Sequence, residues 1–307
     1  MNRLAILCSG QGSQTVDMLA GFTDRDSRRI IEERLTSLPR EVAARIREPC
    51  AADLLRGEVA QPALCIYAEL AWKLLASRLP APHLLLGYSL GELVAYAVAG
   101  ALAWEDLARL ALDRAQMMAA AYPVPSTLIA VKGLHREGVH ELCGQSGGSI
   151  AIFNGAEHFV VGVEQARAEA LCVAALSAGA GACRVLAVEV ASHTSFLTTA
   201  VAPFSERLRA CHWGKPMIPV LSTTSVSLVS SSQVARGLLS RQLSEPVRWS
   251  ETLQSAIERG TTLFLELGPG SALAKMVREL HPEVEARSLA DFQTSDGAAR
   301  WCAARLG

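Results

Sequence analysis

The chain has 307 residues, half of them hydrophobic and 19% charged, with a net charge of −1. That length suits one large domain, or a large domain carrying a smaller insert. The composition excludes a disordered chain, and the near-zero charge argues against a general nucleic-acid or anionic-membrane binder.

Leu4-Ala5-Ile6-Leu7-Cys8 reads as a buried first strand, closed by the glycine loop Ser9-Gly10-Gln11-Gly12-Ser13-Gln14. The loop has neither Gly-x-Gly-x-x-Gly nor a following Gly-Lys-Ser/Thr, so a phosphate cradle is not indicated. It is either a plain turn or a donor of main-chain N–H groups to a site built elsewhere. From about Asp24 to Arg56 the pattern is charged and helical, an expected solvated outer layer. Gln61-Pro62-Ala63-Leu64 is expected to open a buried helix running through Leu75.

His83-Leu84-Leu85-Leu86 then leads into Gly87-Tyr88-Ser89-Leu90-Gly91, and Glu92 to Ala99 reads as helix. Strand, sharp turn and helix with serine at the apex is the geometry of an exposed nucleophile, whose helix-start amides can stabilise an oxyanion. The plainer alternative is an N-capping serine in a glycine-rich turn. A helix from Trp104 to about Ala121 follows and stops before Pro123 and Pro125.

After Pro125 the rhythm changes to strand 126–131, helix 136–143, a hairpin of 149–154 and 159–163, helix 164–176 and strand 183–188. This β-α-β-β-α-β order predicts a ferredoxin-like α+β subdomain over residues 125–190. Residues 1–124 and 191–307 then form a large α/β-hydrolase-like domain with a mainly parallel sheet core. In the second part the expected elements are a helix from Phe196 to Cys211, a strand at 218–223, a helix leading to Arg241 and a helix from Ser250 to Arg259. A strand at 262–267 follows, and then Leu273 to Leu280 as the last substantial helix.

The eight cysteines form no Cys-x-x-Cys pair and no Cys/His cluster with zinc-ligand spacing, so no metal and a reducing, cytoplasmic setting are expected. The N-terminal apolar run is too short for a signal peptide. Leu84 to Trp104, whose only charge is Glu92, is long enough to span a membrane. Gly87, Ser89, Gly91 and Gly100 break it, and no span is expected.

A serine nucleophile needs a base. Of seven histidines, His193 sits in a Ser-His-Thr turn after a strand, at the sheet end where sites gather; a structural, hydrogen-bonded histidine is the alternative. Beyond this pair, a set of motifs resembles the malonyl-CoA:acyl carrier protein transacylases. These are Gly10-Gln11-Gly12-Ser13-Gln14 through Leu19, Gln61-Pro62-Ala63, Gly87-Tyr88-Ser89-Leu90-Gly91-Glu92, Arg114, Ala191-Ser192-His193, Arg241-Gln242-Leu243 with Pro246-Val247-Arg248-Trp249, and Glu266-Leu267-Gly268-Pro269-Gly270.

The resemblance covers almost the whole chain, in order, and implies a Ser–His dyad at Ser89 and His193. It implies Arg114 as receiver of the substrate's free carboxylate, Gln242 beside the histidine, and an oxyanion hole from the N–H groups of Gln11 and Leu90. Malonyl-CoA is then the substrate and an acyl carrier protein the partner, accepting malonyl on its phosphopantetheine thiol, with no bound cofactor. The residues agree: Arg114 has Leu110 rather than an acid four positions before it, and a guanidinium grips a carboxylate with two parallel bonds. Gln242 can hold the imidazole by its amide oxygen, sufficient for an already activated thioester; a helix-end cap is its other reading.

Tyr88 stands where a histidine is common in that family, Asp17 replaces a usual glycine, and Ala191 replaces a proline common in malonyl-specific members. Small Ser192 leaves room for an α-methyl group. Fatty-acid synthesis, polyketide assembly and the charging of a malonate decarboxylase carrier subunit all fit this chemistry. A serine thioesterase or hydrolase and a non-catalytic carrier-binding module are the competing classes. Arg236, Arg241, Lys275 and Arg278 could meet an acidic carrier, with solvated surface the plainer reading.

Overall fold

Strand β1 (Leu4–Cys8), strand β2 (Leu84–Gly87) and strand β9 (Leu263–Leu267) are buried at every residue, as largely apolar strands covered on both faces should be, Glu266 of β9 included. They form the centre of a six-stranded sheet in a computed structural model that describes residues 2–306. β1 pairs in parallel with β2 on one side and β9 on the other, and β10 (Glu285–Ser288) extends the sheet beyond β9. Beyond β2 lie β7 (Val220–Leu221), parallel, and the short antiparallel β8 (Leu228–Val229).

Side chains alternate between the two faces. Leu4, Ile6 and Cys8 pack into one core with α3 (Gly57–Leu75), α4 (Gly91–Val98), α5 (Trp104–Ala120) and α8 (Thr198–Arg209). Ala5 and Leu7 face the other core, with α10 (Trp249–Glu258) and α11 (Ala272–Leu280). α1 (Arg25–Thr36) and α2 (Arg40–Arg47) pack outside α3, but they are more than a solvated layer. Buried Arg34 reaches from α1 to buried Glu69 of α3 through two parallel bonds of 2.8 Å each.

The second sheet is antiparallel, in the order β4-β5-β3-β6: β3 (Ser126–Lys132), β4 (Ser149–Gly155), β5 (His158–Glu164) and β6 (Ala182–Val185). With α6 (Arg136–Ser146) and α7 (Ala168–Ser177) it has the expected ferredoxin-like arrangement. Ile129, Val131, Phe159 and Val161 face those two helices. Leu128, Ile152 and Val160 face the large sheet's second core. Main-chain bonds from Phe153 to Val247 and from Val247 to Ala151, both 2.9 Å, join the two parts.

Several expected elements differ. The helix of Gln61-Pro62 begins earlier, at Gly57, so Pro62 lies inside it. The strand expected over 218–223 is only β7, and the one expected over 183–188 ends at Val185. The helix expected from Phe196 starts with a 3-10 turn at Ser195–Leu197. α12 (Ser295–Leu306), not α11, is the last substantial helix, and it follows β10. β8, β10 and α9 (Ser232–Arg241) complete the chain. Among the described residues no helix is long and apolar enough to cross a membrane.

Candidate active site

Cys8 and Gly87 are register partners at the carboxyl ends of neighbouring parallel strands, so the glycine loop and the serine turn leave the sheet side by side. The serine turn is tight. Gly91 N–H donates to the Tyr88 carbonyl at 2.9 Å and Glu92 N–H to the Ser89 carbonyl at 3.0 Å. Ser89 takes φ +55°, a left-handed value that strains an L side chain. Gly91 is required because a Cβ there would lie 2.0 Å from the Cys8 carbonyl oxygen.

His193 also holds a left-handed backbone, φ +64°. Its Nε2 lies 2.7 Å from Ser89 Oγ, and its Nδ1 lies 2.6 Å from the main-chain carbonyl of Gln242. A carbonyl only accepts, so Nδ1 carries the proton and Nε2 presents the lone pair to the serine hydroxyl. Burial first, and then the nearby Arg114 cation, lower the imidazole pKa to about 3, against the opposing pull of the Gln242 carbonyl. The ring is neutral and ready to accept a proton.

Gln242 reaches the histidine differently from the expectation. Its main-chain carbonyl, not its side-chain amide oxygen, holds the imidazole. The reason is its place as C-cap of α9, where carbonyls lack helical partners and carry the negative end of the helix dipole. The side chain turns away, and Nε2 donates to Glu92 Oε2 at 2.8 Å and to Thr223 Oγ1 at 3.2 Å. His193 N–H also donates to the Leu243 carbonyl, at 2.8 Å, so the segment grips both ends of the histidine.

Arg114, on α5, is 2% exposed and makes no ion pair among the described residues. Nη1 donates to Gln61 Oε1 at 2.9 Å and Nη2 to Ser89 Oγ at 3.3 Å. Burial lowers its pKa to about 10, which leaves it charged near neutrality. A buried cation held only by neutral groups is a seat for an anion.

Gln11, Leu90, Ser89, Arg114 and His193 all line one cavity of about 270 Å³; Gln242 lies behind His193. The main-chain N–H groups of Gln11 and Leu90 donate to no protein acceptor among the described residues. The loop bearing Gln11 is anchored where Ser9 Oγ donates to buried Glu266 Oε1 at 2.7 Å. Ser192, Leu128, Ile152 and Val160 close the cavity from the side of the small sheet.

Three contributors had no assigned role from sequence: Gln61, Thr223 and Glu92. Glu92 left a signal, as the only charge in an otherwise apolar stretch of 21 residues from Leu84 to Trp104. Tyr88 points its hydroxyl at Asn154 Oδ1, 3.2 Å away on β4, with its ring edge-on to Trp249 at 5.2 Å. It thus ties the serine turn to the small sheet. Asp17 is exposed in its own turn with Thr15, and does not line the cavity. Arg241 pairs with Glu245, Lys275 with Glu279, and Arg278 donates to the Ala286 carbonyl.

The chain is 28% identical to a malonyl CoA-acyl carrier protein transacylase of Haemophilus influenzae over 300 residues, 95% of this chain and 96% of that one. An acyl-carrier-protein S-malonyltransferase structure from Burkholderia pseudomallei superposes with a TM-score of 0.89 at 30% identity, covering 97% of this chain and 99% of that one. A malonyl-transacylase solved in complex with its type II PKS acyl-carrier protein gives a TM-score of 0.90 at 27% identity, covering 97% and 99%. The acyl transferase domain model matches residues 6–292, a span that begins within β1 and holds the serine turn, Arg114 and the His193 turn. On that match and this architecture, the chain belongs to the acyl transferase domain family.

Proposed function

We propose that this protein moves a malonyl group from CoA to the phosphopantetheine thiol of an acyl carrier protein through an ester on Ser89. The observation that carries the reading is Arg114, a buried guanidinium without a carboxylate partner among the described residues, 3.3 Å from the serine oxygen. It selects acyl groups that end in a carboxylate. The relatives named above act on malonyl groups and carrier proteins, which supports the same substrates here.

In the first half-reaction His193 Nε2 takes the Ser89 proton as Oγ attacks the thioester carbonyl. The N–H groups of Gln11 and Leu90 hold the oxyanion, and the CoA sulfur leaves with the proton from His193. In the second, His193 takes the carrier thiol's proton, the sulfur attacks the malonyl ester, and Ser89 recovers its hydrogen. The kinetics are ping-pong. A thioester is already activated, so the Gln242 carbonyl suffices where a peptidase uses an aspartate.

We assign residues 1–124 and 191–307 to the catalytic domain and 125–190 to a subdomain that closes the cavity. The eight free thiols are consistent with a reducing cytoplasm. Fatty-acid synthesis, polyketide assembly and malonate decarboxylase charging share this chemistry, and the carrier protein decides between them. Labelled malonyl-CoA should leave one malonyl group on Ser89 and none on Ser89→Ala, and adding holo carrier protein should discharge it. An unlabelled wild type overturns the proposal, and discharge to water faster than to carrier makes the protein a hydrolase.

A further inference from the structure

Glu92 stands one turn beyond Ser89, at the start of α4, fully buried. Its Oε2 accepts from Thr223 N–H at 3.1 Å, Thr223 Oγ1 at 2.6 Å and Gln242 Nε2 at 2.8 Å. Its Oε1 accepts nothing, and no cation pairs with it among the described residues. An unpaired carboxylate in such a place is costly, and an apolar side chain would be the cheaper filler. Contacts from Thr223, Ser222 and Gln242 favour its ionised form, but burial outweighs them and pushes its pKa up.

The contacts close a ring. Ser89 Oγ meets His193 Nε2 at 2.7 Å, His193 Nδ1 meets the Gln242 carbonyl at 2.6 Å, Gln242 Nε2 meets Glu92 at 2.8 Å, and Glu92 N–H returns to the Ser89 carbonyl at 3.0 Å. We propose that Glu92 is a positioning residue: by pinning the Gln242 side chain it aims the Gln242 carbonyl at His193, and so ties the base to the helix that carries the nucleophile. This rests on the Ser89–His193 reading above. Ser89, Gln242 and Glu92 each enter the ring through both main chain and side chain, and it is the Gln242 main chain that meets the imidazole. Released from Glu92, Gln242 keeps Thr223 Oγ1 at 3.2 Å and its own N–H bond to Leu238, but loses its shortest side-chain anchor. Glu92 touches neither substrate nor reacting atoms.

The test compares Glu92→Leu with Glu92→Gln, the second keeping an oxygen that can accept from Thr223 and Gln242. Single-turnover malonylation of Ser89 should fall roughly tenfold to a hundredfold in Glu92→Leu, by analogy with the loss on removing hydrogen-bond partners that orient metal-ligating histidines. Half-saturation by malonyl-CoA should stay within about twofold, because the uniform binding supplied by Arg114 is untouched. Glu92→Gln should recover most of the rate.

The second readout is the His193 Nδ1–H proton resonance in histidine-labelled protein. It should shift or broaden in Glu92→Leu and be restored in Glu92→Gln. If Glu92→Leu does not fold, Gln242→Leu cuts the same link from the other side and should give the same loss and the same shift. A Glu92→Leu or Gln242→Leu protein with wild-type rate and resonance overturns the proposal, as does equal loss in both Glu92 variants with the resonance unmoved. Failure of wild type to take malonyl at all would sink the malonyl reading instead, and the resonance would still report on Glu92.

Discussion

Arg114 and His193 share one small cavity, and the charge of the first depresses the proton affinity of the second. The sign can be followed through the reaction. With the imidazole pKa lowered to about 3, the free protein holds a neutral base well below the ordinary 6.5. On the proposed reading, a substrate carboxylate on Arg114 cancels the cation and lets the imidazole pKa rise in the complex. The acid limb of kcat/KM, which reports the free protein, should therefore lie below the acid limb of kcat. For acetyl-CoA, which brings no carboxylate, the two limbs should coincide, and Arg114→Ala should move the kcat/KM limb upward. A wild-type kcat/KM for malonyl-CoA that halves near pH 6.5 would show that neither burial nor the Arg114 charge lowers the imidazole in the free protein. The same Arg114→Ala variant should lose about 2–5 kcal/mol of transition-state binding for malonyl-CoA, the cost of truncating one partner of a buried charge pair. Acetyl transfer should change far less; equal losses would remove Arg114 from carboxylate recognition.

At the scale of elements, the strand–turn–helix around Ser89 depends on close approach of α4 to β1. A methyl group at Gly91 would sit 2.0 Å from Cys8 O and 2.9 Å from Ser9 O, both main chain and unable to yield cheaply. Gly91→Ala should destabilise the fold by about 1–3 kcal/mol or more, the range for overpacking, and lower the denaturant midpoint in urea melts. An unchanged midpoint would mean that α4 can slide. The junction of α1 with α3 rests on Arg34 and Glu69, both buried. Glu69→Ala leaves the Arg34 guanidinium with only the largely exposed Glu105 at 3.2 Å. The expected cost is about 3–5 kcal/mol, visible as a lower Tm and early proteolysis in α1. A shift under 1 °C would show that Arg34 escapes to water.

For the whole molecule, the decisive contact is the face of the small sheet against the turn that carries His193. A Cβ on Gly162 of β5 would meet Thr194 Cγ2 at 2.6 Å and Ala191 Cβ at 2.9 Å, so the sheet lies directly on that turn. Gly162→Val should displace the 191–194 turn, lengthen the 2.7 Å Ser89–His193 contact and slow malonylation by roughly tenfold or more, as small misplacements do in catalysis. Far-UV circular dichroism should stay near native, because the nearest atoms to the added side chain belong to the 191–194 turn and not to a strand of the large sheet. Full activity in Gly162→Val would mean that the two sheets move as independent bodies.

Local patterning was enough for most of the architecture. Apolar runs, interrupted only by Glu266 in β9, marked the central strands β1, β2 and β9, and the β-α-β-β-α-β rhythm marked the small sheet. Pairing and the shortest elements were less legible: β8 and β10, of two and four residues, were not read, and β7 was read as a longer strand than its two residues, because such lengths are too short for periodicity to show. The serine turn could be read because its glycines answer a local steric demand that leaves a spacing in the chain. Arg114 and His193 could be named from motif order, but their convergence on Ser89 spans 25 and 104 residues of sequence. The place of Gln242, beside the histidine and at a helix end, could be read, but the atom by which it holds the imidazole could not. A sequence displays side chains, whereas here a main-chain carbonyl at a helix end holds the base, and only the packing of α9 against the His193 turn decides which carbonyl that is. Glu92 was visible as a lone charge in an apolar run, but its meaning required Thr223 and Gln242 to be brought to it, 131 and 150 residues away. Sequence by itself determined which residue types and turns this protein has; tertiary structure decided which of their polar atoms meet, because burial makes each such atom find a partner wherever the fold places one.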